Sequence, residues 1–151
     1  GTIFYEYDAG GKLVKQTDEN AGETTIWSYD TDGQKIRMRS GNRDVHYDYG
    51  KAGELATVVD KLQRLSVSFT YDLMGREISR RYGNGVVQIT ERDEIGRATV
   101  IRELSSAGAL LSAETYLYDE RGRRKFAVNE ASRLVFSCKC RQGRDNIVNT
   151  G

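Results

Sequence analysis

The sequence predicts an all-β protein, a repetitive strip of antiparallel β-hairpins that forms a single array over residues 1–151. Three observations predict it. Tyr-Asp-x-x-Gly returns at nearly fixed intervals, the residues between copies alternate apolar with polar, and proline is absent beside 16 glycines. Self-similarity at a short period marks architectures in which each unit stacks on its neighbours. Alternation with period two gives a strand two distinct faces, and a chain without proline keeps every backbone N–H available to a ladder.

Taken in order, the copies are "YDAGG" ending at Gly11, "YDTDG" at Gly33, "YGKAG" at Gly53, "YDLMG" at Gly75, "RDEIG" at Gly96 and "YDERG" at Gly122, with a worn seventh, "KCRQG", at Gly143. The glycines are spaced by 22, 20, 22, 21, 26 and 21 residues. The unit after Gly75 shows what lies between: "REISRRY" alternates, "GNG" at Gly83 to Gly85 signals a turn, and "VVQITER" alternates again. That is two strands and a hairpin. Second turns of the same kind are expected at "ENAGE", "SGNR", "SSAG" and "NEAS", and their variable length is expected to account for the drift in spacing, the interval of 26 included. Turns of both sets together predict about thirteen short strands and little helix. "TIFYEY" and "RLVFSC" are the expected edge strands.

The motif has a physical reading as a turn. An aspartate that opens a type I turn accepts hydrogen bonds from amides just ahead, and a glycine three residues on takes positive φ to close a three-residue loop with a bulge. The candidate structural residues are therefore Tyr7, Asp8 and Gly11; Tyr29, Asp30 and Gly33; Tyr49 and Gly53; Tyr71, Asp72 and Gly75; Asp93 and Gly96; Tyr118, Asp119 and Gly122; and Gly143. Because the motif returns once every two strands, the copies share one rim at a spacing of about 9 to 10 Å. Tyrosines that far apart do not stack on each other. Each ring is expected to cover the intervening strand and pack on residues just after a glycine, such as Leu13 and Leu55. Replacing Gly75 by Ala is expected to cost about 1 kcal/mol or more, while the nearby Glu77→Ala is expected to be almost silent.

Composition excludes several functions. With 23 Lys plus Arg against 22 Asp plus Glu, the net charge of +1 offers no electrostatic reason for nucleic acid or an anionic membrane as partner. No apolar run approaches the roughly 20 residues of a membrane span, and the first residues lack the pattern of a signal peptide. Arg76, Arg97, Arg123 and Arg144 follow turn glycines, and with Asp72, Asp93 and Asp119 beside them local ion pairing is favoured over a basic stripe. "DTDG" resembles a calcium loop but lacks its further oxygen ligands and its later glycine. His46, the only histidine, sits in the strand-like "DVHYDY" with no announced partner, and Trp27 is expected to anchor packing. Cys138 and Cys140, two apart, point to the same face of a strand and are too few for a zinc site. No catalytic, cofactor or metal site is expected, and the chain is read as non-enzymatic.

Repeated Tyr-Asp-x-x-Gly, often continued by Arg or Lys and then Leu, at about twenty residues, is similar to the Rhs or YD-repeat proteins. These include bacterial polymorphic toxins, the shell components of Tc toxins and the animal teneurins. The resemblance runs from Tyr7 to Arg144. It implies that the repeats wind as one strip into a hollow β-shell or cocoon, which in bacterial members encloses a toxic C-terminal domain before delivery. On that reading the chain is a structural segment of a secreted or extracellular toxin shell, incomplete at both ends, whose partners are neighbouring repeats and an enclosed toxin. Exposed edges make edge-to-edge self-association a further expectation. A second implication is an extracellular recognition or adhesion module, teneurin-like, that binds glycans or protein partners. Three copies depart from the motif: Gly50 stands in place of Asp, Arg92 in place of Tyr, and Lys139 and Cys140 in place of both. These are expected to weaken the repeat locally.

Overall fold

The computed structural model describes residues 1–129 and 134–137, with side chains through Lys125. All thirteen regular elements among them are β-strands. The chain divides into two compact units, Gly1–Phe69 and Thr70–Gly151.

The first unit holds β1 (Ile3–Tyr7), β2 (Leu13–Asp18), β3 (Glu23–Tyr29), β4 (Lys35–Ser40), β5 (Arg43–Tyr49), β6 (Leu55–Asp60) and most of β7 (Leu65–Tyr71). Each pairs antiparallel with the next in chain order. Cross-strand register sets the two faces. Trp27, Met38, Val45 and Asp60 oppose one another across four strands, while the row beside it carries Ile26, Arg39 and Asp44. Trp27 thus packs in the more apolar row, beside the second motif.

The second unit holds β8 (Glu77–Tyr82), β9 (Val87–Arg92), β10 (Ala98–Leu104), β11 (Leu110–Tyr118), β12 (Arg124–Asn129) and β13 (Leu134–Ser137), again paired in chain order. In both units the core is thin. Among the described residues the only buried apolar side chains are Val45, Ala113 and Tyr116. A sheet that nothing covers leaves water on both faces, so ladder hydrogen bonds and cross-strand pairs hold it rather than a packed interior.

The second set of turns corrects two expectations. Gly41 and Asn42 alone join Ser40 to Arg43, whereas four residues join Asp18 to Glu23 and Asp60 to Leu65, and three-residue loops follow Tyr82 and Ser105. These lengths track the spacings of 20, 22 and 21, one residue for each residue. The spacing of 26 has another cause: its loop after Ser105 is as short as the one after Tyr82, and the surplus lies in the strands, seven residues in β10 and nine in β11. The turn between β6 and β7 was also illegible as a turn, because it contains neither Gly nor Asn. Arg64 takes its left-handed position at φ 55, where Gly22 stands in the matching turn at φ 62. The buried Asp60 carboxylate fixes that loop by accepting the amides of Leu62 and Gln63 at 3.2 Å and the Arg43 Nε–H. Asp18 does the same for the amides of Asn20 and Ala21 at 2.8 and 3.1 Å. The "NEAS" turn and Gly143 lie outside or partly outside the described residues.

Candidate functional site

The repeated feature of this chain is its Tyr-Asp-x-x-Gly turn, of which the described residues hold three in each unit. The structure places Asp8 with Gly11, Asp30 with Gly33, and Gly50 with Gly53 in the first unit; Asp72 with Gly75, Asp93 with Gly96, and Asp119 with Gly122 are in the second. All six share one hydrogen-bond pattern. The amide of the opening residue donates to the carbonyl four residues on at 2.7–2.9 Å, and the glycine amide donates back to the opening carbonyl at 2.9–3.1 Å. These glycines hold φ between 74 and 90, a region a Cβ disfavours. The opening carboxylate then caps the loop: Asp8, Asp72 and Asp119 each accept two further amides, at 2.8–3.0 Å.

Tyrosines tie one turn to the turn before it. Tyr29 donates its hydroxyl to the Leu13 carbonyl at 2.8 Å, Tyr49 to that of Lys35 at 2.9 Å, and Tyr118 to that of Ala98 at 2.6 Å. In each case the acceptor lies two residues past the previous motif glycine. The residue just past that glycine reaches the same way: Lys12 and Arg97 lie over the rings of Tyr29 and Tyr118, at 5.5 and 4.4 Å. Lys12, Gln34 and Arg76 also occupy the space where a Cβ on Gly33, Gly53 or Gly96 would project. Tyr7, in the first copy, is 61% exposed. Tyr71 ends β7.

Two departures from the motif are compensated on the spot. At Gly50 the missing carboxylate is replaced from the far side of the loop: Glu54 Oε2 accepts the Ala52 amide at 3.0 Å, and its carboxylate fills the space a side chain on Gly50 would need. At Arg92 the missing phenol is replaced by a guanidinium that donates to the Glu77 carbonyl at 3.1 Å, two residues past Gly75, and to the Gly96 carbonyl at 3.2 Å. Each substitute makes hydrogen bonds in place of the missing group, while the Arg92 Nε–H is buried without a hydrogen-bond partner. Neither rescue was visible beforehand, because each depends on which residue the fold brings opposite.

Charge on the rim is paired locally. Arg76, Arg97 and Arg123 bind Asp72, Asp93 and Asp119 at 2.6–2.7 Å; Arg144 lies outside the described residues. Amides and guanidinium together hold the pKa of each of these carboxyls below its ordinary value. For Asp72 and Asp119 the main cause is the backbone N–H of Arg76 and Arg123, with the side chains of the same arginines adding to it. For Asp93 burial pushes upward most strongly but is outweighed by the Arg97 side chain and amide. Away from this rim, the Arg37 fork holds Asp44 down to about 2. His46, half-buried, sits 3.2 Å from the same carboxylate. An open hollow of about 340 Å³ beside Arg39, Arg43 and Asp44 is lined by groups of which Arg43 and Asp44 are already engaged with Asp60 and Arg37.

Among the described residues no group of three or more His, Cys, Asp or Glu side chains is placed to hold a metal, and no helix is long and apolar enough to cross a membrane. Cys138 and Cys140 lie outside the described residues.

The family model described as Teneurin YD-shell matches residues 1–138. The chain belongs to that family. Two crystal structures share the YD-shell chain's fold: TcdB2-TccC3-Cdc42, at 20% identity and a TM-score of 0.72, and TcdB2-TccC3 without its hypervariable C-terminal region, at 18% and 0.71. Each covers 83% of this chain, which spans only 7% of the length of either neighbour. No curated protein matches the sequence significantly.

Proposed function

We propose that this YD-shell chain is a wall segment: a structural, non-enzymatic part of a longer array whose shell encloses a toxic C-terminal domain before delivery. The observation that carries this reading is the single-layer sheet whose turns are cross-tied along one rim in each unit, Tyr29 to Leu13 and Tyr118 to Ala98. Such a wall gains extent by adding repeats, not by thickening a core. The fold shared with TcdB2-TccC3 supports it. Neighbouring repeats and the enclosed domain are then its partners, and a secreted or extracellular setting is where it works. The test is limited proteolysis and electron microscopy of the longer protein that contains these residues. A hollow particle whose C-terminal domain resists protease until the wall is disrupted supports the reading; a solid or extended particle with a freely cleaved C-terminal domain overturns it.

The family's teneurin description favours a second reading, an extracellular recognition module for glycans or protein receptors. Saturable binding of the 151-residue chain to a glycan array or to cell surfaces would favour it over the wall.

A further inference from the structure

The turn between β8 and β9 carries a reactive pair of residues. It has the hydrogen-bond pattern of the motif turns: the Tyr82 amide donates to the Val86 carbonyl at 2.9 Å, and the Gly85 amide donates back to the Tyr82 carbonyl at 2.8 Å. At its tip stands Asn84, exposed and followed by Gly85, the one Asn-Gly pair in the sequence. Asparagine is a labile residue, and before glycine it is most open to attack by its own backbone, because the next amide nitrogen closes a five-membered ring on Cγ and no Cβ crowds the approach. Two contacts act on this pair in opposite senses. Asn84 Oδ1 accepts the Val86 amide at 3.1 Å, which polarises the carbonyl and supplies a donor to the oxyanion formed on attack. The Gly85 N–H, whose proton must leave before the nitrogen attacks, is tied to Tyr82. Restraint wins while the turn is closed. A bonded amide yields its proton to hydroxide only when the bond opens, the event that hydrogen exchange also reads.

We propose that Asn84 is a site of spontaneous deamidation, gated by the hydrogen bond from Gly85 to Tyr82. When the turn opens, hydroxide takes the Gly85 amide proton and the nitrogen attacks Asn84 Cγ. The N–Cγ bond forms, the Cγ–Nδ2 bond breaks, and ammonia leaves with a proton taken from water, which restores the hydroxide. Water then adds to the resulting succinimide at either carbonyl. Addition at the side-chain carbonyl leaves aspartate, with a new negative charge on the turn. Addition at the main-chain carbonyl leaves isoaspartate, whose backbone passes through Cβ and is one bond longer. The longer product strains this turn, because Ser106 already packs so closely that a Cβ on Gly85 would stand 2.6 Å from its own Cβ. A brief opening of the hairpin is thereby converted into a lasting change of charge or backbone. The inference goes beyond the wall reading and does not rest on it.

Peptide mass spectrometry of the whole chain, aged in mildly alkaline buffer with and without denaturant, tests both the site and its gate. In denaturant Asn84 is expected to deamidate well ahead of Asn20 and Asn42, whose successors Ala21 and Arg43 carry side chains. In the folded chain, verified by a β-type circular dichroism spectrum, Asn84 should react at least about tenfold more slowly, the factor that an opening cost of about 1.4 kcal/mol imposes. Methyl labelling by an isoaspartyl methyltransferase should appear on the same peptide, and Asn84→Gln, whose ring closure needs one more atom, should abolish it. Denaturant added below the unfolding transition should raise the deamidation rate and the exchange rate of the Gly85 amide by the same factor. Deamidation of Asn84 no faster than that of Asn20 and Asn42 in denaturant overturns the site. Equal rates in the folded and denatured chain, or deamidation that does not follow Gly85 exchange, overturns the gate. No toxin domain or longer array enters this experiment, so its failure leaves the wall reading standing.

Discussion

Glu54 shows how far a single residue answers to its place in the fold. Five of the six described motif turns carry an acid at the opening and Lys, Gln or Arg four residues on; the turn at Gly50 exchanges the two roles, and the carboxylate returns from the other end. Gly50→Asp alone puts two carboxylates in one small space and is expected to destabilise. Glu54→Arg alone leaves the Ala52 amide without its acceptor. The double substitution rebuilds the common turn, so a double-mutant cycle by denaturant melting should give a favourable coupling of about 0.5–1.5 kcal/mol; strictly additive effects would disprove the exchange. Arg92 makes the same point with a donor. Arg92→Tyr restores the phenol of the other copies and is expected to be neutral or stabilising, whereas Arg92→Ala, which leaves the Glu77 carbonyl without this donor, should cost about 1 kcal/mol in the same melts. At this scale the sequence exposed the departures but not their repair, because cross-strand neighbours are set by register. Glu77 is a further case: it is half-buried and binds Arg80 at 2.7 and 3.1 Å, so it is not the silent exposed site its spacing suggests.

Turns are the elements that the sequence announces best, since their signal is local: Asp and Gly at fixed offsets act on their own backbone. The turn between β6 and β7 escaped because Arg64 tolerates a conformation normally left to Gly, and the extended interval before Gly122 escaped because strand length has no punctuation of its own. Glycines in similar turns need not be equivalent. Gly75 at φ 74 has nothing near its missing Cβ, whereas at Gly85, φ 86, a Cβ would stand 2.6 Å from Ser106 Cβ and 3.3 Å from its Cα. Gly75→Ala is therefore expected to cost about 1–2 kcal/mol from the backbone alone, and Gly85→Ala more; Leu73→Ala, on a fully exposed tip, is the quiet control. Equal losses at Gly75 and Gly85 in chemical denaturation would refute the steric difference. The capped carboxylates also make turns acid-sensitive. Asp72, Asp93, Asp119 and Asp60 are held below the usual carboxylate range and Asp44 at about 2, so their contribution is fully present above the unfolded value of about 4 and is lost as pH falls through the folded values. The thermal midpoint should be insensitive to these groups above about pH 5 and fall steadily between about pH 4 and 2. A midpoint unchanged down to pH 2 would contradict this.

The molecule as a whole trades a core for continuity: three buried apolar side chains among the described residues cannot anchor a globule of this length, but a ladder renewed at every turn can hold a sheet. That is why the repeat is what the sequence displays, and why the fold class was legible from spacing and alternation. The central claim is that the motif turns are structural staples that close their hairpins and, within each unit, tie one turn to the turn before it. Amide hydrogen exchange followed residue by residue by NMR tests this most directly. The amides of Asp8, Asp30, Gly50, Asp72, Asp93 and Asp119, each bonded to the carbonyl four residues on, should exchange as slowly as amides within the neighbouring strands, while those of exposed tips such as Ala9 and Leu73 exchange freely. Opening-residue amides that exchange at the rate of the tips would show that the turns do not hold the sheet, and would contradict the account.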